Sequence, residues 1–350
     1  MKRISLLFAC VLLPLAGWGQ LSSRYRVPFP KALPVADTVS LLVIGDVMMH
    51  RGQIAADYSC FLRDLAPLVE QADFRVANME FSLGGEPYTG YPCFSAPDAY
   101  ARYVKDLGFN VFLVANNHIF DRGEAGLRRT LCIYRDSLQV PYTGIGAKPL
   151  LLEKKGLRIA LVNFTYGLNG HVRGEQPRVN RMDGETVRKT IEDARSEGAH
   201  FVIALPHWGE EYRLRHSPEQ ETWAEFLVAC GVDAIVGAHP HVVQDTTHIR
   251  GVPVLYSLGN AVSNMSAPNT RLELAVTLRF VRDLVQGGQR MLEPELTFLW
   301  CTLPGKLTAS YATIRVQEWA TRRSEWLIPS DYDNMLETLA RVRRETGIGQ

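Results

Sequence analysis

The sequence is poor in several features that would give an easy reading. Its six cysteines show no CxxC or other metal-type spacing, which argues against a thiolate zinc site. Its 38 Lys and Arg nearly cancel its 37 Asp and Glu, for a formal net charge of +1. So balanced a chain carries no general electrostatic footprint for nucleic acid or an anionic membrane surface. Beyond its first residues no apolar run is long enough to cross a bilayer, which takes about 20 residues. There is no internal repeat and no low-complexity tract. A partner must be recognised by a local site.

What is present is an ordinary folded composition, 46% hydrophobic and 21% charged over 350 residues, enough for a sizeable core. The N-terminus is distinctive. Lys2 and Arg3 precede an apolar run over 4–16, interrupted by Pro14, and Gly17-Trp18-Gly19 follow. This is the layout of a secretory signal peptide, residues 1–19, cleaved near Gly19. The run is short for a retained anchor, and much of it lies beyond Cys10, which argues against lipidation there. The expectation is an exported chain in the periplasm or extracellular envelope, without a transmembrane anchor. Cys60, Cys93, Cys132, Cys230 and Cys301 then remain. Export permits one disulfide, with Cys60 and Cys93 the candidates. Cys132 and Cys230 fall in apolar helical patterns, as buried small hydrophobes do.

Residues 20–37 read as a Pro-rich linker. Strand-length apolar runs follow at 39–44, 74–77, 111–115, 157–164, 201–205, 234–236 and 252–256. Helical faces lie between many of them: Phe61, Leu65 and Leu68; Ala99, Tyr103 and Leu107; Leu127, Leu131, Tyr134 and Leu138; Trp223, Phe226, Leu227 and Cys230. Strand alternating with helix predicts α/β layering. Strands at 272–280, 296–303 and 312–319 and a polar helix at 331–344 follow. No boundary interrupts 38–319, so 38–281 forms the main body and 282–350 completes the same domain.

Polar residues cluster just after the predicted strands. Asp46 follows the first, Asn78 and Glu80 the second, and Asn116, Asn117 and His118 the third. His207 ends a later strand, and His239 and His241 follow another. Ligands of open α/β sheets bind at the carboxyl ends of strands. Asp46, Glu80, Asn117, His207, His239 and His241 are oxygen and imidazole donors that suit Mn, Zn or Fe. They suffice for two divalent ions about 3.5–4 Å apart, bridged by a carboxylate such as Asp46. His118 is then free to serve as general acid, with Asp121 orienting it. Singly, each residue has a plainer reading. Asp46 could cap a helix, Glu80 could be solvated, and Asn116-Asn117-His118 could form a turn. His239-Pro240-His241, with two imidazoles held by one proline, is the most specific piece.

The segments Gly45-Asp46-Val47-Met48, Asn78-Met79-Glu80, Ala115-Asn116-Asn117-His118 with Asp121, and His207-Trp208-Gly209-Glu210-Glu211-Tyr212 occur in this order. Gly237-Ala238-His239-Pro240-His241 and Tyr256-Ser257-Leu258-Gly259-Asn260 follow. Together they resemble the CapA family, named for poly-γ-glutamate capsule biosynthesis, and through it the calcineurin-like metallophosphoesterase superfamily. That resemblance covers roughly residues 38–281. It implies a four-layer α/β/β/α sandwich in which Asp46 is a bridging carboxylate and Glu80, or Asn78, stands at the second bridging position. By the same similarity His207, His239 and His241 are ligands, and Asn117 with His118 forms the superfamily's Asn-His pair. Asn78, Asn116 and Tyr212 are candidates for substrate contact. Two positions depart from the pattern. Met48 stands where the superfamily has a histidine, for which His50 could substitute, and Ala261 stands where the family often has phenylalanine.

Two functions compete. One is an exported metal-dependent hydrolase of a phosphoester or an envelope polymer bond. The other is a noncatalytic assembly or export factor that binds an anionic polymer, within a capsule synthase complex. An inert binding module leaves the histidines unexplained.

Overall fold

Among the described residues, 36–170 and 176–349, this computed structural model contains fourteen strands and eight α-helices. The signal-peptide reading, Cys10 and most of the expected linker lie outside those residues. The strands are β1 (Ala36–Val47), β2 (Phe74–Met79), β3 (Val111–Leu113), β4 (Tyr142–Thr143), β5 (Leu150–Lys154), β6 (Leu157–Thr165) and β7 (Phe201–His207). They continue with β8 (Ala234–Val236), β9 (Thr246–Ile249), β10 (Val252–Leu255), β11 (Leu272–Asp283), β12 (Gly288–Met291), β13 (Glu295–Thr302) and β14 (Ala312–Arg315). The helices are α1 (Arg51–Ile54), α2 (Ala66–Glu70), α3 (Asp98–Asp106), α4 (Gly123–Cys132), α5 (Gly184–Ser196), α6 (Pro218–Cys230), α7 (Val316–Trp319) and α8 (Pro329–Thr346).

Two sheets form. The first has the order β14-β13-β11-β1-β2-β3-β4, with β12 on β11, and the second β5-β6-β7-β8-β10-β9. β1 to β4 are parallel, as are β6, β7, β8 and β10. Alternation along the strands sorts the side chains into layers. Leu41, Val43, Val76 and Val111 meet Ile159, Leu161, Ile203 and Leu205 in a core between the sheets. On the outer face of the first sheet, Leu42, Ile44, Ala77 and Phe112 share a cluster with Tyr100 and Val104 of α3 and Leu127 and Leu131 of α4. On the other side, Ala160, Val162, Val202 and Ala204 cluster with Val187 and Ile191 of α5 and Leu227 of α6. The layering is α/β/β/α, as the resemblance implies.

The C-terminal region enters the same first sheet, because β11 pairs antiparallel with β1 over eight residue pairs. α8 adds Tyr332, Met335 and Val342 to the inter-sheet core. A buried bidentate pair, Arg271 to Asp331 with both contacts at 2.6 Å, pins α8 to the loop before β11. The Arg271 guanidinium also lies 4.3 Å over the Trp300 ring.

Three local expectations need correction. The segment 312–319 is strand only to Arg315, then turns into α7, where the Trp319 indole donates to Asp64 at 2.9 Å. All five described cysteines are free. The Cys60 thiol donates to the carbonyl oxygens of Asp57 and Tyr311, and Cys93 is exposed. Cys132 is exposed because it sits one position off the stripe of Leu127, Leu131 and Tyr134, and Cys230 is half-buried.

Candidate metal centre

The site begins with a distortion of β1. Its parallel register with β2 runs Ile44 to Ala77 and then jumps to Asp46 and Asn78, leaving Gly45 as the extra residue. Such bulges re-aim the next side chain, here that of Asp46. Only glycine fits, since a Cβ on residue 45 would lie 2.0 Å from the Gly259 carbonyl oxygen. The Gly45 N–H donates to Glu273 of β11 at 2.7 Å. Sequence reasoning missed Glu273. Its signal was a carboxylate between Leu272 and Leu274 in an apolar strand.

Asp46 is fully buried. One carboxylate oxygen accepts from the Asn78 side-chain amide at 2.7 Å, and the other from the His239 backbone N–H at 3.3 Å. Asn78 is thus a clamp on Asp46, and its amide nitrogen also lies 3.2 Å from Nδ1 of His207. His207, at the end of β7, has Nε2 2.9 Å from Oδ1 of Asn117 and 3.6 Å from Glu80. His241 Nδ1 lies 3.2 Å from Asp46, 3.8 Å from Glu80 and 2.9 Å from Oδ1 of Asn260. His239 and His241 flank Pro240 with φ of 100° and 57°. Backbone in that region is strained for side-chain-bearing residues and accumulates at functional sites.

Three groups of ligand atoms lie within 4.8 Å of one another: Glu80, His207 and His239; Asp46, Glu80 and His241; and Glu211, His239 and His241. Glu80 belongs to both fully buried groups. Glu211, on the exposed loop after β7, is a further ligand candidate. His50 falls outside all three groups; its ring lies 3.1 Å from Gln53 and edge-on to Phe94. Met48 is buried and makes its hydrogen bonds through its backbone, the carbonyl accepting from Gln53 and Tyr100 and the N–H donating to Val262.

The electrostatics show what these atoms lack. Among the described residues, neither carboxylate oxygen of Glu80 has a hydrogen-bond partner, and neither does Nδ1 of His239. Burial, reinforced by the charge of Asp46, pushes the Glu80 carboxyl well above its ordinary range. Burial, reinforced by the neighbouring imidazoles, holds His207 well below the usual histidine value and His239 down to about 3. Neutral imidazoles and a buried carboxylate with unused lone pairs form a donor set that a divalent cation would satisfy, and the cation would invert that local pKa logic. The residues fit such an ion.

Beside these groups stands a pair that belongs to none of them. His118 Nδ1 lies 2.7 Å from Asp121, and both side chains are buried. The same Asp121 oxygen accepts from the Phe94 backbone N–H at 2.7 Å, and the Phe94 ring meets the imidazole edge-on at 4.6 Å. The Asn169 amide approaches both ring nitrogens, at 3.3 and 3.4 Å, and is a neighbour that the sequence did not suggest. Asn116 is fully buried and donates to the Met79 carbonyl at 2.9 Å, so it braces the loop. Tyr212 is exposed, with its ring 6.1 Å from that of His241. Trp208 is buried, its indole donating to the Tyr256 carbonyl at 2.9 Å.

The chain is similar to several known proteins. The capsule biosynthesis protein CapA of Bacillus anthracis is 29% identical over 296 residues, covering 78% of this chain and 70% of that protein. The PGA biosynthesis protein CapA of Bacillus subtilis is 29% identical, over 67% of this chain and 66% of its own length. Among solved structures, a phosphatase from Mycoplasma pneumoniae superposes with a TM-score of 0.47 at 11% identity, over 75% of this chain and 94% of that one. That likeness is too loose to carry functional weight. The sequence model of the bacterial capsule synthesis protein PGA_cap family matches residues 40–265, more than half of the chain, and the chain belongs to that family.

Proposed function

We propose that this chain is an exported two-metal hydrolase, acting on a phosphoester or an envelope polymer bond, with a role in capsule or poly-γ-glutamate biosynthesis. The observation that carries the reading is the His118–Asp121 pair at 2.7 Å, set beside the ligand groups yet outside all of them. A site that only bound ions or polymer would have no need of it. The resemblance to metallophosphoesterases and the names of the relatives point the same way, and the layout of residues 1–19 supports export.

Asp46, Glu80, Asn117, His207, His239 and His241 would hold two ions of Mn, Zn or Fe. Such ions supply Lewis-acid polarisation and a nucleophile at neutral pH. The protein's own residues supply the rest. Asn78 fixes the Asp46 carboxylate, and Asn260 fixes the His241 ring. Asp121, anchored by the Phe94 N–H, orients the His118 ring through Nδ1, so that Nε2 would be the atom that carries a proton to the leaving oxygen.

One observation favours the assembly-factor reading instead. Met48 offers no imidazole where the superfamily has one, so the ion environment is altered. Metal analysis and phosphodiester hydrolysis on the same samples separate the two. The expected result is about two ions per chain, lost in His239→Ala together with turnover. His118→Ala should keep its ions while turnover falls by roughly 10²–10⁴-fold. Unchanged turnover in His118→Ala would reject the enzyme, and no bound ion would reject the dinuclear centre.

A further inference from the structure

A second feature beside the site lies partly outside the family-matched segment, which ends at residue 265. A cavity of about 630 Å³ opens between the loop after Asn260 and α8. Tyr212 and Val242 form the wall toward the metal centre, Val242 being the residue after His241. Asn264, Ser266, Asn269, Thr270 and Arg341 supply its polar lining, and no Asp or Glu lines it.

The cavity offers donors in excess. The Arg341 guanidinium is held by Asn269 Oδ1 at 2.6 and 3.3 Å, and by Thr338 at 3.3 Å. These contacts engage Nε and one terminal nitrogen; among the described residues the other terminal nitrogen has no hydrogen-bond partner and no carboxylate pairs with Arg341. The Asn264 side-chain oxygen is taken by the Tyr311 hydroxyl at 2.5 Å, which leaves the amide N–H groups as its remaining polar contribution. The walls are fixed, because the buried Arg271–Asp331 pair ties the end of the 268–271 turn to the start of α8. A solvated surface arginine would need no such bracing. A guanidinium held by neutral acceptors, with donors around it and no acid, is complementary to a planar or tetrahedral oxyanion.

We propose that this cavity is a substrate subsite for a carboxylate or phosphate group carried by the molecule whose reacting bond lies at the metal centre, with Arg341 as the anchoring charge. It gives the C-terminal helix a part in specificity. The assignment builds on the hydrolase reading only for the identity of the attached molecule.

The test is calorimetric binding to the full metal-loaded chain, with γ-linked pentaglutamate and tripolyphosphate as probes. Wild type is compared with Arg341→Gln and with Ser266→Glu, which places a negative charge at the exposed rim and leaves Arg341 intact. At least tenfold weaker binding of one or both probes in both variants is expected, from the loss of a charge-assisted hydrogen bond. The probe affected identifies carboxylate or phosphate as the anion. Arg341→Gln could loosen the 268–271 turn, so Ser266→Glu decides if that variant melts early. Wild-type affinity in Ser266→Glu and in a folded Arg341→Gln, or no wild-type binding of either probe, overturns the subsite. Binding needs no turnover, so an inactive protein that loses probe affinity would reject the hydrolase and keep the subsite.

Discussion

Replacing Glu80 by Gln tests the logic of the metal centre without relying on any reaction. Glu80 is fully buried with both oxygens unpartnered. An uncompensated buried charge costs several kcal/mol, which the ion-free protein avoids only by protonating it, as the raised pKa indicates. Its folded-state pKa exceeds the unfolded value, so its contribution to ion-free stability is complete below about pH 4.5. That contribution is lost as pH rises through the folded value. Gln keeps the shape and removes the charge. In chelator at pH 7, Glu80→Gln should melt no lower than wild type. Adding Mn at a hundredfold excess over Kd should stabilise wild type by about 2.7 kcal/mol per ion. At about 2 °C per kcal/mol for a chain of this size, that is roughly 5 °C per ion, read by scanning calorimetry. The variant should lose most of that rise, because Glu80 belongs to both buried ligand groups. A variant that kept the full metal-dependent rise, or that was several degrees less stable than wild type in chelator, would refute the reasoning.

Two further outcomes follow from the same structure. Asp331→Ala leaves the Arg271 guanidinium buried without its partner, and breaking such a pair costs about 3–5 kcal/mol. Urea unfolding should show that loss, and a change below 1 kcal/mol would mean that α8 is held otherwise. The second concerns acid. His207, His239 and His50 are held neutral by burial, His239 to about 3 and His50 to about 4. Their contribution to stability is present above the unfolded histidine value and lost as pH falls through about 6.5 toward 4. Glu80 and Glu273, with raised values, act in the opposite sense. Three imidazoles against two carboxyls leave a net loss of stability as pH falls below the unfolded histidine value. Melting of the chelated protein between pH 7 and 5 should fall accordingly, and a flat or rising profile would count against it.

The strands and their polar ends were legible because both signals are local. An apolar run of five or six residues followed by Asp, Asn or His needs no knowledge of the partner strand. α5 was harder to see, since its buried positions Val187, Ile191 and Ala194 are few among charged neighbours. Its start was marked only by the Asp183 cap on Thr186 N–H. Glu273 could have drawn notice as a carboxylate in an apolar strand. Its use, holding the N–H that the Gly45 bulge leaves free, depends on a pairing 228 residues apart.

The sequence by itself determined the α/β alternation, the order of the donors along the chain and the family, because periodicity and residue type are read within short windows. Tertiary structure alone decided the rest. It made Asn78 a clamp on Asp46, brought Glu80 into both buried ligand groups and left His50 outside them. It also brought Arg341 against Asn269, 72 residues away. Those relations depend on how two sheets and a C-terminal helix pack, and side-chain distances across layers leave no trace in local pattern.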